Sequence, residues 1–304
     1  MILKEKTKMK NKIIVLVCFI VAAGLSASAQ KTIKIWGENP VSSKMNRAKM
    51  LVYKAKENPS GISVIICPGG SYCYLGKNVE GKEIAKWLNK NNITAFVLHY
   101  RVGMYGNHHP AMIQDLQRVT QLVKENCATY GIDPNKVGMM GFSAGGHLVG
   151  TASVCFDTNF LEELGVTPHV SMRPAFTAMI YPVISMTNDS IVHEKTRKNL
   201  LSEIYAPELA QMMSLENTVR ADMPPVFLIQ CMGDKTVDYR NAESYAAALK
   251  EKGALLFYKL YHEPGHGFGI RKGTGEVRQW YRLFIPWLEK TMQVQLKEAS
   301  RKKN

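Results

Sequence analysis

Apolar and polar positions alternate between two textures along this chain. Residues 62–67, 93–100, 137–140, 175–183, 225–232 and 254–262 are nearly continuous apolar runs. Such runs, rich in β-branched side chains and without in–out alternation, predict strands covered on both faces. Between them, residues 79–91, 111–130, 147–155, 241–252 and 277–298 space their apolar positions for one face of a helix. Two further short strands are predicted at 32–36 and 50–55, before the polar turn 57–61. Strand followed by helix, repeated, predicts an α/β fold with a mainly parallel central sheet flanked by helices. One stretch breaks the rhythm. Residues 185–222 are too long for a plain connection and are expected to pack as a short cap or lid over whatever site the sheet carries. No internal repeat or low-complexity linker intervenes, so residues 30–304 are expected to form a single domain.

The first 29 residues follow different rules. Lys4, Lys6, Lys8, Lys10 and Lys12 precede an apolar stretch at 13–25, and Ala27-Ser28-Ala29 forms an A-x-A site before Gln30. This is the pattern of a secretory signal peptide cleaved near Ala29-Gln30, and it predicts a secreted or periplasmic protein. The apolar stretch is short for a span of ~20 residues, so no stable membrane anchor is expected after cleavage. Cys18 lies inside the stretch rather than at its end, unlike a lipoprotein. Removing five lysines and Glu5 with this segment lowers the net charge from +14 to +10. That excess invites an acidic partner, but no basic stripe interleaved with aromatics marks a nucleic-acid binder. The densest basic run, 297–303, reads as a solvated helix end. Composition is that of an ordinary globular chain, at 46% hydrophobic and 21% charged. Of six cysteines, five follow the leader, with no C-x-x-C. A disulfide framework is unnecessary at this size, and Cys67 and Cys231 read as small buried hydrophobes.

The chemistry gathers around residues 137–146, VGMMGFSAGG. A strand, a sharp turn and a helix follow one another, with Ser143 at the apex. Glycines at 141 and 145 leave room for a turn tight enough to lift the serine above the sheet edge. The same turn aims the N–H of Ala144, in the first helical turn, toward an anion forming beside Ser143. The bare G-x-S-x-G string arises by chance in roughly a tenth of chains this long, so its partners decide its meaning.

Ligands of open parallel sheets bind beyond the carboxyl ends of the strands, and three stretches lie there. Pro68-Gly69-Gly70-Ser71 either turns the N–H groups of Gly70 and Ser71 toward an oxyanion or merely re-aims the chain. Asp234, directly after the 225–232 strand, is placed to orient an imidazole, with Asp238 in reserve or acting as a cap for the next helix. His266, in a Gly/Pro-rich loop after the 254–262 strand, is able to reach Ser143. His262 reads as an ordinary strand-end residue and His147 as a packing residue. His108 and His109 either meet substrate or occupy a surface loop, and His169 and His193 have no visible partner. Together these parts predict nucleophilic attack by Ser143 on an ester, His266 as base, Asp234 as its orienter, and an oxyanion hole from Gly70, Ser71 and Ala144. No cofactor is required. The chain contains no P-loop or G-x-G-x-x-G string.

From Val52 to Trp287 the chain resembles the α/β-hydrolase esterases, and specifically the secreted bacterial acetyl xylan esterase/feruloyl esterase group. The likeness is carried by Pro68-Gly69-Gly70-Ser71-Tyr72, Tyr100-Arg101, Asp115, residues 141–146 and 193–201, Pro224-Pro225-Val226-Phe227-Leu228, residues 234–237 and His266-Gly267-Phe268. Ser143, Asp234 and His266 also follow one another in the α/β-hydrolase order. The resemblance implies the same three roles, and removal of acetyl or other short acyl groups from plant polysaccharide such as xylan. In one respect the chain departs from the wider group. An H-G-G-G oxyanion loop is replaced by Pro68-Gly69-Gly70-Ser71. Arg101 and Asp115 are expected to form a buried pair. Two rival functions stand beside this one: a peptidase akin to prolyl oligopeptidases, and a non-catalytic carbohydrate-binding protein on a hydrolase fold.

Overall fold

The structure is a computed structural model and describes residues 31–38, 40, 42–271 and 275–296. The expected signal peptide and the basic 297–303 run lie outside the described residues. Eight strands form one sheet: β1 (Lys31–Lys34), β2 (Lys49–Tyr53), β3 (Ser63–Cys67), β4 (Thr94–His99), β5 (Val137–Phe142), β6 (Thr177–Ile180), β7 (Val226–Cys231) and β8 (Leu256–Tyr261). Their order is β1-β2-β4-β3-β5-β6-β7-β8. β1 pairs antiparallel with β2, and β2 antiparallel with β4, at one edge; the remaining pairings are parallel. The helices are α1 (Glu83–Lys90), α2 (Ala111–Glu125), α3 (Cys127–Tyr130), α4 (Ala144–Val154), α5 (Glu194–Leu201), α6 (Pro207–Met212), α7 (Arg240–Glu251) and α8 (Tyr281–Met292).

Every residue of β3 through β7 is buried, which explains the unbroken apolar runs. Alternate side chains of each strand enter opposite cores. Ile65, Phe96, Met139 and Leu228 face a core with α2, α4 and α7, whereas Val64, Val97, Met140 and Phe227 face one with α1 and α8. The result is helix, sheet, helix in three layers. Both cores end at the carboxyl edge of the parallel strands, where β5 and β6 deliver Ser143 and Tyr181.

Three boundaries differ from the sequence expectation. The 111–130 helix divides at Asn126 into α2 and α3, which end at Gly131 in a left-handed cap. The last helix stops at Met292 because Gln293 turns to φ 52. β6 pairs only over four residues; Tyr181 then leaves the sheet at φ 42. Residues 185–222 form the expected insertion, with α5, α6 and a 3-10 turn, Leu215–Asn217. Asn241 of α7 ties its base down, accepting from Ile184 and Ser185 N–H and donating to Ile191 carbonyl. No helix among the described residues is long and apolar enough to cross a membrane.

Candidate active site

The turn between β5 and α4 is as tight as its glycines require. A Cβ at position 141 would lie 2.0 Å from Gly145 carbonyl oxygen, and one at 145 would lie 2.0 Å from Cys67 carbonyl oxygen. Ser143 itself sits at φ 53 and ψ −120, a conformation that non-glycine residues rarely adopt and that stores strain. Its N–H bonds to Ile180 and its carbonyl accepts from Gly146 and Val183, so neighbouring strands hold the strained residue in place.

Three loops bring the predicted partners to it. His266 Nε2 lies 3.0 Å from Ser143 Oγ, and His266 Nδ1 lies 2.7 Å from Asp234 Oδ2. Asp234 Oδ1 accepts from the N–H groups of Thr236 and Val237 at 2.8 and 3.0 Å. Its side chain is fully buried while that of His266 keeps 17% of its surface exposed. A buried carboxylate on Nδ1 fixes the tautomer in which Nε2 is free to accept the serine proton. Asp238 points elsewhere, bonding Arg240.

The loop after β3 runs directly beneath the serine, since a Cβ on Gly69 would come within 2.9 Å of Ser143 Cβ. Gly70 (φ 131), Ser71 (φ 56) and Tyr72 (φ 52) all hold positive φ. Among the described residues, no backbone hydrogen bond uses the N–H of Gly70, Ser71 or Ala144. For Ala144 this follows from its place at the start of α4, where the first N–H groups have no intrahelical acceptor.

The loops are joined by a residue that the sequence reading did not single out. Glu80, in a π turn (Asn78–Lys82) before α1, accepts from Gly69 N–H at 2.8 Å and from the Tyr181 hydroxyl at 2.8 Å. The Tyr181 hydroxyl in turn accepts from Gly269 N–H at 3.2 Å, and its ring lies 4.6 Å from that of His266. One carboxylate therefore links the glycine loop to the histidine loop. Burial pushes the Glu80 carboxyl above its ordinary value, against the pull of its hydrogen bonds to Tyr181 and Gly69. A signal was present: Glu80, Ile84 and Leu88 are four residues apart and share the buried face. The far side of the histidine loop is fixed by Trp280, whose indole donates to Gly269 carbonyl at 2.7 Å.

Four of the other histidines have structural partners. His147 is fully buried, with Nε2 2.7 Å from Met213 carbonyl and Nδ1 2.9 Å from the Tyr72 hydroxyl. His109 packs edge-on against Phe160, and His108 bonds Asn199 carbonyl. His193 caps α5, its Nδ1 lying 2.7 Å from Thr196 Oγ1. Arg101 and Asp115 form the expected buried pair at 2.9 Å, with Trp36 as a further donor to the carboxylate. All five cysteines from Cys67 onward are free thiols. No group of three or more His, Cys, Asp or Glu among the described residues is arranged to hold a metal ion.

Comparison with known proteins agrees with this architecture. Residues 50–249 match the BD-FAE family. The chain is 34% identical to an acetylxylan esterase of Xylanibacter ruminicola, over 74% of this chain and 44% of that protein. It is 28% identical to endo-1,4-beta-xylanase B of Butyrivibrio fibrisolvens, over 78% of this chain and 37% of that protein. The chain thus spans less than half the length of these two relatives. Among solved structures, the acetyl ester-xyloside bifunctional hydrolase of Caldicellulosiruptor lactoaceticus superposes with a TM-score of 0.78 at 31% identity, covering 88% of this chain and 98% of that one. With the match to residues 50–249 spanning most of the chain, this protein belongs to the BD-FAE family of α/β-hydrolase esterases.

Proposed function

We propose that the protein is a serine carboxylic-ester hydrolase that removes acetyl or other short acyl groups from a plant polysaccharide such as xylan. The observation that carries this is the hydrogen-bonded chain from Ser143 through His266 to Asp234, ending on a strained serine above the sheet edge. In the proposed reaction Ser143 Oγ attacks the ester carbonyl while His266 Nε2 takes its proton. Asp234 stabilises the imidazolium so formed. The oxyanion rests on the N–H groups of Ala144 and of Gly70 or Ser71, where each donor removed typically costs about 10²–10³-fold in rate. His266 then protonates the departing sugar hydroxyl and activates water against the acyl-enzyme. The carbohydrate assignment is supported by the acetylxylan esterase and xyloside hydrolase relatives, and a secreted or periplasmic location by the leader pattern of residues 1–29.

The test is acetate release from acetylated xylan, with p-nitrophenyl acetate and a prolyl peptide alongside. Ester turnover is expected without peptide cleavage. Peptide cleavage alone would establish the peptidase instead, and inertness toward all three a non-catalytic binder. Ser143→Ala should lower ester turnover by about 10³-fold or more while leaving the thermal melt unchanged; retention of most activity would move the site elsewhere.

A further inference from the structure

A second concavity adjoins the glycine loop and takes no part in the chemistry above. It encloses about 390 Å³ between the carboxyl end of β4, the start of β2, and the segments around Tyr74 and Tyr105. Tyr74 and Cys73 donate their N–H groups to Gly70 carbonyl at 3.1 and 2.9 Å, so this wall is also the back of the proposed oxyanion loop.

The charge in it is of one sign. Arg47, Lys49, Lys77 and Arg101 line the cavity, and none of its lining residues is acidic. Arg101 is neutralised by Asp115. Among the described residues no carboxylate pairs with Arg47, Lys49 or Lys77. Three cations without a carboxylate partner around one hollow repel each other and favour an anionic occupant. His99, 8% exposed, lies among them with no partner for its Nδ1. Burial, helped by Lys77 and Lys49, pushes its pKa down to about 4, so the imidazole is neutral at ordinary pH.

The rim supplies a different feature. Tyr74 is 54% exposed, Tyr105 45% and Met104 58%. The Arg47 guanidinium lies 3.7 Å from the Tyr105 ring centre, and Lys195 of α5 reaches to 5.8 Å above Tyr74. Exposed aromatic faces accept the C–H face of a sugar ring while their hydroxyls bond its edge. Cations beside them select a sugar that carries a carboxylate.

We propose that this cavity is an accessory subsite for a uronic-acid unit of the glycan, which seats an acidic substituent while a neighbouring acyl ester reaches Ser143. This rests on the polysaccharide reading above and adds to it the charge class of the substrate. The side chains assigned to binding are Arg47, Lys49, Lys77, Tyr74 and Tyr105.

Binding without turnover separates the two ideas. Titration calorimetry of the protein would compare xylotetraose bearing one glucuronic acid, plain xylotetraose, and inorganic phosphate, none of which contains an ester. The acidic tetraose should bind at least about tenfold more tightly than the neutral one, and more tightly than phosphate. Lys49→Gln/Lys77→Gln should weaken the acidic tetraose by about tenfold, and Tyr74→Ala should weaken both sugars. Thermal melts would check that the variants fold. Equal affinity for the two sugars, phosphate binding as tight as the acidic sugar, or no effect of the lysine changes would each overturn the subsite. Failure of the enzyme to release acetate would overturn the function above and leave this measurement unaffected.

Discussion

Glu80→Gln probes the junction of the glycine and histidine loops with little change of shape. The carboxylate receives two hydrogens, one from Gly69 N–H and one from the Tyr181 hydroxyl, both at 2.8 Å. The Tyr181 oxygen already accepts from Gly269, which directs its own hydrogen toward Glu80. A glutamine offers one oxygen and one NH2, so either orientation sets an N–H against one of two buried donors. Stranding one such donor costs about 1–3 kcal/mol, which lowers the melting temperature by roughly 2–5 °C for a chain of this size. The kinetic effect follows from geometry. Gly69 precedes the proposed donor Gly70 and touches Ser143, so releasing it blurs the aim of that donor. Removing such a donor outright costs about 10²–10³-fold; partial displacement should lower kcat for p-nitrophenyl acetate by about 10–100-fold. KM should stay within a few-fold, because Glu80 positions the loop without touching substrate. Steady-state kinetics at 25 °C beside thermal melts separate the effects. A lowered melt with kcat within twofold of the parent would make Glu80 purely structural, and no change in either would refute the hydrogen-bond argument. Tyr181→Phe, which leaves the Gly69 bond intact, should act in the same direction and more weakly.

Two further outcomes test the frame around the site. Asp115→Ala strands the buried Arg101 guanidinium and should lower stability by about 3–5 kcal/mol in denaturant titration; a loss below about 1 kcal/mol would mean that water reaches the arginine. His147 gives a pH test. Met213 carbonyl accepts only, so Nε2 carries the hydrogen and Nδ1 accepts from Tyr72. Burial pushes its pKa from 6.5 to about 4 in the folded protein. Above pH 6.5 both states are neutral and His147 has no effect on the balance. Between 6.5 and 4 the unfolded chain takes up a proton that the folded one refuses, so stability falls, by up to about 3 kcal/mol from this residue. His99 and His109 are also pushed down to about 4 and add to the same slope. His147→Gln should be less stable at pH 7.5 and lose less between pH 6.5 and 4; parallel curves for the two proteins would refute the assignment.

Much of this protein was determined locally. A strand covered on both faces must be apolar throughout, so the runs at 62–67 and 225–232 declared themselves without knowledge of their neighbours. A turn in which a methyl group would meet a carbonyl oxygen at 2.0 Å admits only glycine, so 141 and 145 announced the elbow. Ser143, Asp234 and His266 were legible because each follows such a strand, and the carboxyl ends of parallel strands all open on one edge. Tertiary structure decided the rest. Continuous apolar runs do not say where pairing stops, so β6 ended earlier than its sequence, freeing Tyr181 to lie beside His266. Nor do they encode the strand order, which places β3 against β5 and so Gly69 against Ser143. The role of Glu80 was the least visible. A carboxylate near a helix start reads as solvated until Gly69, Tyr181 and Gly269, far apart in the chain, converge around it. Side-chain chemistry is a local property, but which hydrogen meets which oxygen depends on distances that only the folded chain defines.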